Sequence, residues 1–450
     1  MRALLLMVAL VGCDWLGDDG KKSKAKARVE GGSKKHARAA EPFRPPTVTP
    51  AAPPAGKKKH ALVIVVDTLR ADAVEAAKTP NLDQLARDGD RVPHAWSPST
   101  WTAPSVMSMF TGMSLRQHGW NFPFPNKMRK RGETYPRMRE DTPTLAEVLY
   151  DAGFHTEGWY ANPFLGHDMG YDRGFGRWQR TRDGTAVKKI KRSVKGWEDG
   201  ERHFIYMHLF GPHMPLAPRG AAAERWQVDK SHANKRGSYS FRRFKPGQTA
   251  KEENYRRAYH AVVEQVDKNI GKLVRALGPH RDDTAIFITS DHGELLGEHE
   301  VWGHGEYVWE QLTHVPFYAV GAGELPDTLM TASLPALVTD SLGVQHTWPV
   351  GRDDALPLVS QRGDKFTISP DGRHKATWDA KALADQGGVA VFDLTLDRAE
   401  GSPLEAPPFD PLATRAAWEA ATGDHQVEAK EGEMGDELLD MLDELGYVED

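Results

Sequence analysis

The stretch Ala61-Leu62-Val63-Ile64-Val65-Val66-Asp67-Thr68-Leu69-Arg70 decides the fold. Six apolar residues follow one another, mostly β-branched, with charge on both flanks. Such a run reads as a strand covered on both faces, the kind a parallel sheet uses. An acid stands directly after its last apolar residue. The pattern recurs at Thr284–Thr289, which runs into Ser290-Asp291-His292-Gly293, and at His203–Phe210, followed by Gly211-Pro212-His213. Phe154–Tyr160 is a further strand. Helical spacing fills the intervals. A helix starts at Thr79-Pro80 with Leu82 and Leu85 on one face, another covers Thr144–Ala152 up to Gly153, and a third covers Ala186–Trp197. A long one over Glu252–Leu277 carries Tyr259, Val262, Val263, Val266, Ile270 and Leu273. Strands alternating with helices predict an α/β domain, a largely parallel central sheet flanked by helices. Ligands in such sheets bind beyond the carboxyl ends of the strands. Asp67, His213, Asp291 and His292 are therefore expected to meet in one pocket.

The rest of the chain narrows the classes. Its 450 residues suit one large α/β domain with appendages. With 58 basic and 63 acidic residues the net charge is −5, which argues against a dedicated nucleic-acid partner. The one cysteine, Cys13, excludes an intramolecular disulfide, a cysteine zinc site and a catalytic cysteine in the folded body. No run of about 18 apolar residues is present, so no transmembrane helix is expected.

The expected organisation has four parts: residues 1–13, a spacer over 14–59, a catalytic domain over 60–345, and a C-terminal subdomain with a helical tail over 346–450. Residues 1–13 resemble a bacterial lipoprotein signal, with Arg2, an apolar run and the lipobox-like Leu10-Val11-Gly12-Cys13. The resemblance implies lipidation of Cys13 and a membrane-anchored lipoprotein on the extracytoplasmic side of a bacterial cell envelope. Residues 14–59 are rich in Lys, Ala, Gly and Pro, and so bury too little apolar surface to order themselves.

Two carboxylates and an imidazole at strand ends suit a divalent cation, and Asp67, Asp291 and His292 are the candidate ligands. Thr102 lies before a helix whose first turn carries Pro104 and which Gly112 closes. A hydroxyl there faces free backbone N–H groups, which favour an anion. Touching a metal as a fourth protein contact, it can act as a nucleophile on phosphorus or sulfur.

Several segments together resemble the sulfatase family of the alkaline phosphatase superfamily. They are Val66–Arg70, Thr79–Asp83, Thr102-Ala103-Pro104-Ser105 through Gly112, His208 with Pro212–Pro215, and Ser290–Gly305. Phe392-Asp393-Leu394 and Leu445-Gly446-Tyr447-Val448 add a C-terminal echo. The resemblance implies an alkaline-phosphatase-like sandwich with a smaller C-terminal subdomain. It also implies a metal held by Asp67, Asp291 and His292, Thr102 as nucleophile, and His213 as proton donor to the leaving group. His304 stands where many sulfatases hold the substrate with a lysine. Asn162 falls where the family has a lysine-tryptophan-histidine segment, and it is a substrate-binding candidate.

The departures carry weight. Sulfatases make formylglycine from Cys or Ser, with Pro two and Arg four positions later; here the residues are Thr102, Pro104 and Val106. No formylglycine is expected. Thr68 replaces a second aspartate. The expectation is therefore one divalent cation, Ca, Mg, Mn or Zn, and an anionic ester substrate. Phosphodiesters or phosphate esters are preferred over sulfate esters. A phospho-headgroup transferase of the envelope and a catalytically silent binding lipoprotein are the alternatives.

Overall fold

Every residue of His60–Val66 (β1) is buried, as an unbroken apolar run requires. The strand lies within an eight-stranded sheet in a computed structural model. The structure describes residues 43–120, 134–241, 244, 247–352, 357–378, 388–423 and 430–433. The other strands are β2 (Asp90–Trp96), β3 (His155–Tyr160), β4 (Arg177–Arg180), β5 (His203–Leu209), β6 (Thr284–Ser290), β7 (His314–Val320) and β8 (Thr328–Met330). Their spatial order is β8-β2-β7-β6-β1-β5-β3-β4. Strand β7 runs antiparallel to β2 and β6, and the other pairings are parallel. Val66 is level with Leu209 and with Ser290. Three strands therefore finish together, and the residues that follow them emerge side by side at the carboxyl edge.

Alternate residues of β1 serve two apolar layers. Val63 and Val65 face one, which is closed by the helices α2 (Thr102–Thr111), α3 (Leu145–Asp151) and α6 (Leu334–Leu342) through Val106, Phe110, Leu149 and Leu337. Leu62, Ile64 and Val66 face the other. It is closed by α1 (Pro80–Asp88), α4 (Asp183–Lys195) and α5 (Thr249–Arg275) through Leu82, Ile190, Tyr259, Val266 and Ile270. Helix α2 is buried along its whole length, consistent with its Thr, Ala and Ser content. Gly112, at φ +66°, ends it in a conformation that glycine adopts without a Cβ clash.

A four-stranded antiparallel sheet follows: β9 (Leu358–Arg362), β10 (Lys365–Ser369), β11 (His374–Trp378) and β12 (Ala390–Asp393). A buried ionic knot ties it to the main sheet. Lys375, on β11, is fully buried, with Nζ 2.8 Å from Val308 O, 3.1 Å from Glu400 Oε1 and 3.7 Å from Glu310 Oε2. Glu310 in turn meets His314 Nδ1 at 3.2 Å.

Residues 43–59 differ from the expected spacer. Arg44 N donates to Gly176 O at 2.9 Å, Tyr150 Oη to Pro45 O at 2.8 Å, and Lys58 N to Ser341 O at 2.8 Å. The Arg202 guanidinium donates to Ala51 O at 3.2 Å and Lys58 O at 3.0 Å. Composition counts apolar side chains, whereas this strap is held largely through its backbone. Strands β2 and β7, absent from the sequence reading, contain Pro93 and Pro316, and the register between them shifts across Val315/Phe317. Cys13, the spacer up to residue 42 and Leu445–Val448 lie outside the described residues. A second difference concerns Thr102, which is the first residue of α2 rather than the one before it.

Candidate active site

Asp67 leaves β1, Asp291 and His292 leave β6, His213 follows β5 and Asn162 follows β3. Asp67, Asp291 and His292 are fully buried, and Thr102, Asn162 and His213 nearly so. His292 Nε2 lies 3.8 Å from Asp67 Oδ1 and 3.7 Å from Asp291 Oδ2. Asp291 is fixed by Thr68 N and His292 N on Oδ1, at 3.2 and 2.9 Å, and by His208 Nε2 on Oδ2 at 3.4 Å. Gly293 follows because no side chain fits there: an added Cβ would lie 1.9 Å from Gln311 O.

The Thr102 hydroxyl is held on two sides. Asn162 Nδ2 donates to Thr102 Oγ1 at 3.1 Å and to Asp67 Oδ2 at 2.7 Å, while Asn162 Oδ1 caps Phe164 N at 3.0 Å. Oγ1 lies 3.2 Å from His292 Nε2. His292 Nδ1 faces Gly293 O at 2.8 Å and so carries the proton, which leaves Nε2 as acceptor of the threonine O–H. Burial lowers the His292 pKa to about 4, so the ring is neutral at pH 7.

These residues fit a cation. Burial, and next the charge of Asp291, push Asp67 well above the usual carboxylate range. Asp291 is held below that range by His292 and His208, against the opposing effect of burial. Asp67 Oδ1 and Thr68 Oγ1 are buried with no hydrogen-bond partner among the described residues. A divalent cation would let both carboxylates ionise and would satisfy the orphaned Asp67 oxygen. Asp67, Asp291 and His292 are indeed grouped closely enough to share one ion. Among the described residues His155, Glu201 and His203 form a second such group, at the opposite edge of the sheet.

His304 stands 4.4 Å, ring to ring, from His292 and 5.1 Å from His213, with Nδ1 2.9 Å from Glu294 Oε1. The site thus contains a row of three imidazoles. His213, the expected proton donor to the leaving group, is held by its backbone neighbour. Its Nδ1–H donates to Met214 O at 2.6 Å, and burial, followed by the neighbouring His304, lowers its pKa to about 3. In the resting state Nε2 is therefore a proton acceptor.

The sequence reading assigned no role to three residues here. His208 reaches Asp291 from inside β5, and Glu294 orients His304. Arg362, from β9, lies buried over the Trp101 ring at 5.3 Å and donates to Gly305 O at 2.6 Å. The signal available for Glu294 was its place within Ser290–Gly305. For Arg362 no local signal exists, because the C-terminal sheet brings it in from 260 positions away in sequence (roughly, counting from Thr102).

The carboxylate–imidazole cradle lies beside the Thr102 hydroxyl beyond the carboxyl ends of a largely parallel sheet, where α/β proteins of this class bind their ligands. The Sulfatase family profile matches residues 59–338, and the chain belongs to the sulfatase family. It is 22% identical over 322 residues to the uncharacterized sulfatase YidJ of Escherichia coli, covering 58% of this chain and 62% of that one. The chain thus spans less than two thirds of that relative. A sulfatase-family protein of Bacteroides thetaiotaomicron superposes with a TM-score of 0.60 at 18% identity, over 84% of this chain and 96% of its own. The phosphonate monoester hydrolase of Agrobacterium radiobacter superposes with a TM-score of 0.57 at 17% identity, over 80% and 94%.

Proposed function

We propose that the protein is a metal-dependent ester hydrolase in which Thr102 is the nucleophile, acting on phosphodiesters or phosphate esters rather than sulfate esters. The observation that carries this reading is the Thr102 hydroxyl, held between Asn162 Nδ2 and His292 Nε2 at the start of α2. The phosphonate monoester hydrolase on the same fold supports phosphorus as the electrophile.

Asp67, Asp291 and His292 would hold the cation, with Thr102 Oγ1 beside them. When bound, it supplies positive charge that lowers the threonine pKa and neutralises the ester anion. The other steps belong to the chain. Asn162 aims one lone pair of Oγ1 by donating to the other. The positive end of α2 favours the anionic ester. Oγ1 then bonds to phosphorus as the bond to the leaving alcohol breaks. The Thr102 proton is lost to solvent as the hydroxyl ionises, and His213 Nε2, an acceptor at rest, takes a proton from solvent and passes it to the leaving oxygen. Water next cleaves the phosphothreonine. A sulfatase with formylglycine expels sulfate by collapse of an aldehyde hydrate, and a threonine ester has no such route.

The test is a turnover screen of aryl sulfate, phosphate monoester and phosphodiester substrates with Ca²⁺, Mg²⁺, Mn²⁺ and Zn²⁺. The phosphorus esters should lead. Robust arylsulfatase activity with no phosphoester turnover would overturn the preference. Metal analysis should find about one equivalent in the protein and none in Asp291→Ala. Cation at 100 times its Kd should raise stability by about 2.7 kcal/mol, read as a higher Tm.

We also propose that lipidated Cys13 anchors the chain at the extracytoplasmic face of a bacterial envelope. Cys13→Ser should move the protein from the detergent phase to the aqueous phase or leave it unprocessed. Unchanged partitioning and processing would refute the anchor.

A further inference from the structure

His213 lines a cavity of about 1240 Å³. The cavity lies between the end of β4, the loop after β5 and one flank of α5. It is far larger than a single phosphate or sulfate group requires. Six residues of its wall are basic: Arg180, Arg182, Lys189, Arg219, Lys268 and Lys272. The one acid, Asp183, has both oxygens engaged, accepting Phe210 N at 2.8 Å and Gly211 N at 2.9 Å.

Four of these cations stand apart from carboxylates. Lys189, Arg219, Lys268 and Lys272 form no ion pair among the described residues. Lys268 and Lys272 stand one turn apart on α5, a like-charge spacing that costs a helix stability. The amino end of α4, at Asp183–Thr185, opens into the same wall and adds its positive dipole. Val262, Val266 and Leu216 supply an apolar floor. A solvated basic face would not need an apolar floor and a shared wall with the candidate catalytic His213.

We propose that this cavity holds a second anionic group carried by the substrate's alcohol portion, so that the enzyme acts on esters of polyanionic molecules. The proposal rests on the ester-hydrolase reading for its substrate. The extra anion, a sulfate, phosphate or carboxylate, pairs with Lys268, Lys272, Lys189 and Arg219. The carbon skeleton between the two anions crosses the apolar floor past His213. Binding energy gathered at the remote anion fixes the ester at Thr102.

The test is binding rather than turnover, so the two readings fail separately. Benzene-1,3,5-trisulfonate and benzenesulfonate are non-hydrolysable and chelate metals poorly. Titrated calorimetrically into the purified full chain at low salt, the trisulfonate should bind about 30-fold more tightly, and less so as salt screens the charges. Lys268→Gln/Lys272→Gln should reduce that ratio to about threefold, with an unchanged melting profile. Lys235→Gln/Lys251→Gln, outside the cavity, should preserve it. Equal binding of the two sulfonates would overturn the proposal. So would an equal loss in the outside pair, which would signify only a diffuse field. Selective trisulfonate binding without ester turnover would keep the cavity and refute the hydrolase reading. Ester turnover without that selectivity would do the reverse.

Discussion

Thr102→Ala is expected to lower kcat by about three to six orders of magnitude while costing about 1 kcal/mol of stability. The two effects separate because the hydroxyl contributes little to holding the fold. Its loss leaves Asn162 Nδ2 with Asp67 Oδ2 as remaining partner and His292 Nε2 without its donor. The apolar contacts of α2 rest on Val106, Met107 and Phe110, which the change does not touch. Thr102→Ser keeps the oxygen and should retain most of the rate. Turnover and melting of the three proteins decide the matter. Activity of Thr102→Ala within tenfold of the parent would reduce Thr102 to a helix-start residue. Mass analysis of the peptide around Thr102 should also give the unmodified mass.

The largest stability effect is expected at Lys375. Lys375→Met should destabilise the protein by about 3–5 kcal/mol, since it leaves Glu400 buried without its cation and Glu310 with His314 alone. Burial already raises the Glu400 pKa, so its charge depends on that neighbour. Methionine fills a similar volume, which separates charge loss from cavity formation. Urea unfolding measures the change. A loss under about 1 kcal/mol would mean that water reaches the knot or that Glu400 simply takes a proton. The mutation should also loosen β9, because Lys375 and Arg362 belong to one small sheet.

The sequence was most readable where one physical effect dominated. β1, β5 and β6 are buried on both faces, so their apolar runs carry no competing signal. The acids and imidazoles just after them stood out by contrast, and Asp67, Asp291 and His292 do come together. α5 was legible because 27 residues give its apolar stripe many repeats. β2 and β7 were not, since each has a proline and a histidine inside a short span. Asn162 was found only as a gap in a resemblance, yet it touches both Asp67 and Thr102. His208 and Arg362 act across the fold, and spacing along the chain is silent about such contacts. The state of His213 needed coordinates, because a tautomer is set by the backbone oxygen opposite Nδ1.

The strap at 43–59 gives the molecule a direction. Its anchoring partners, Gly153, Gly176 and Arg202, sit at the amino ends of β3, β4 and β5, whereas Thr102 and the cation cradle lie at the carboxyl ends. Any tether upstream of Phe43 therefore pulls on the pole opposite the mouth.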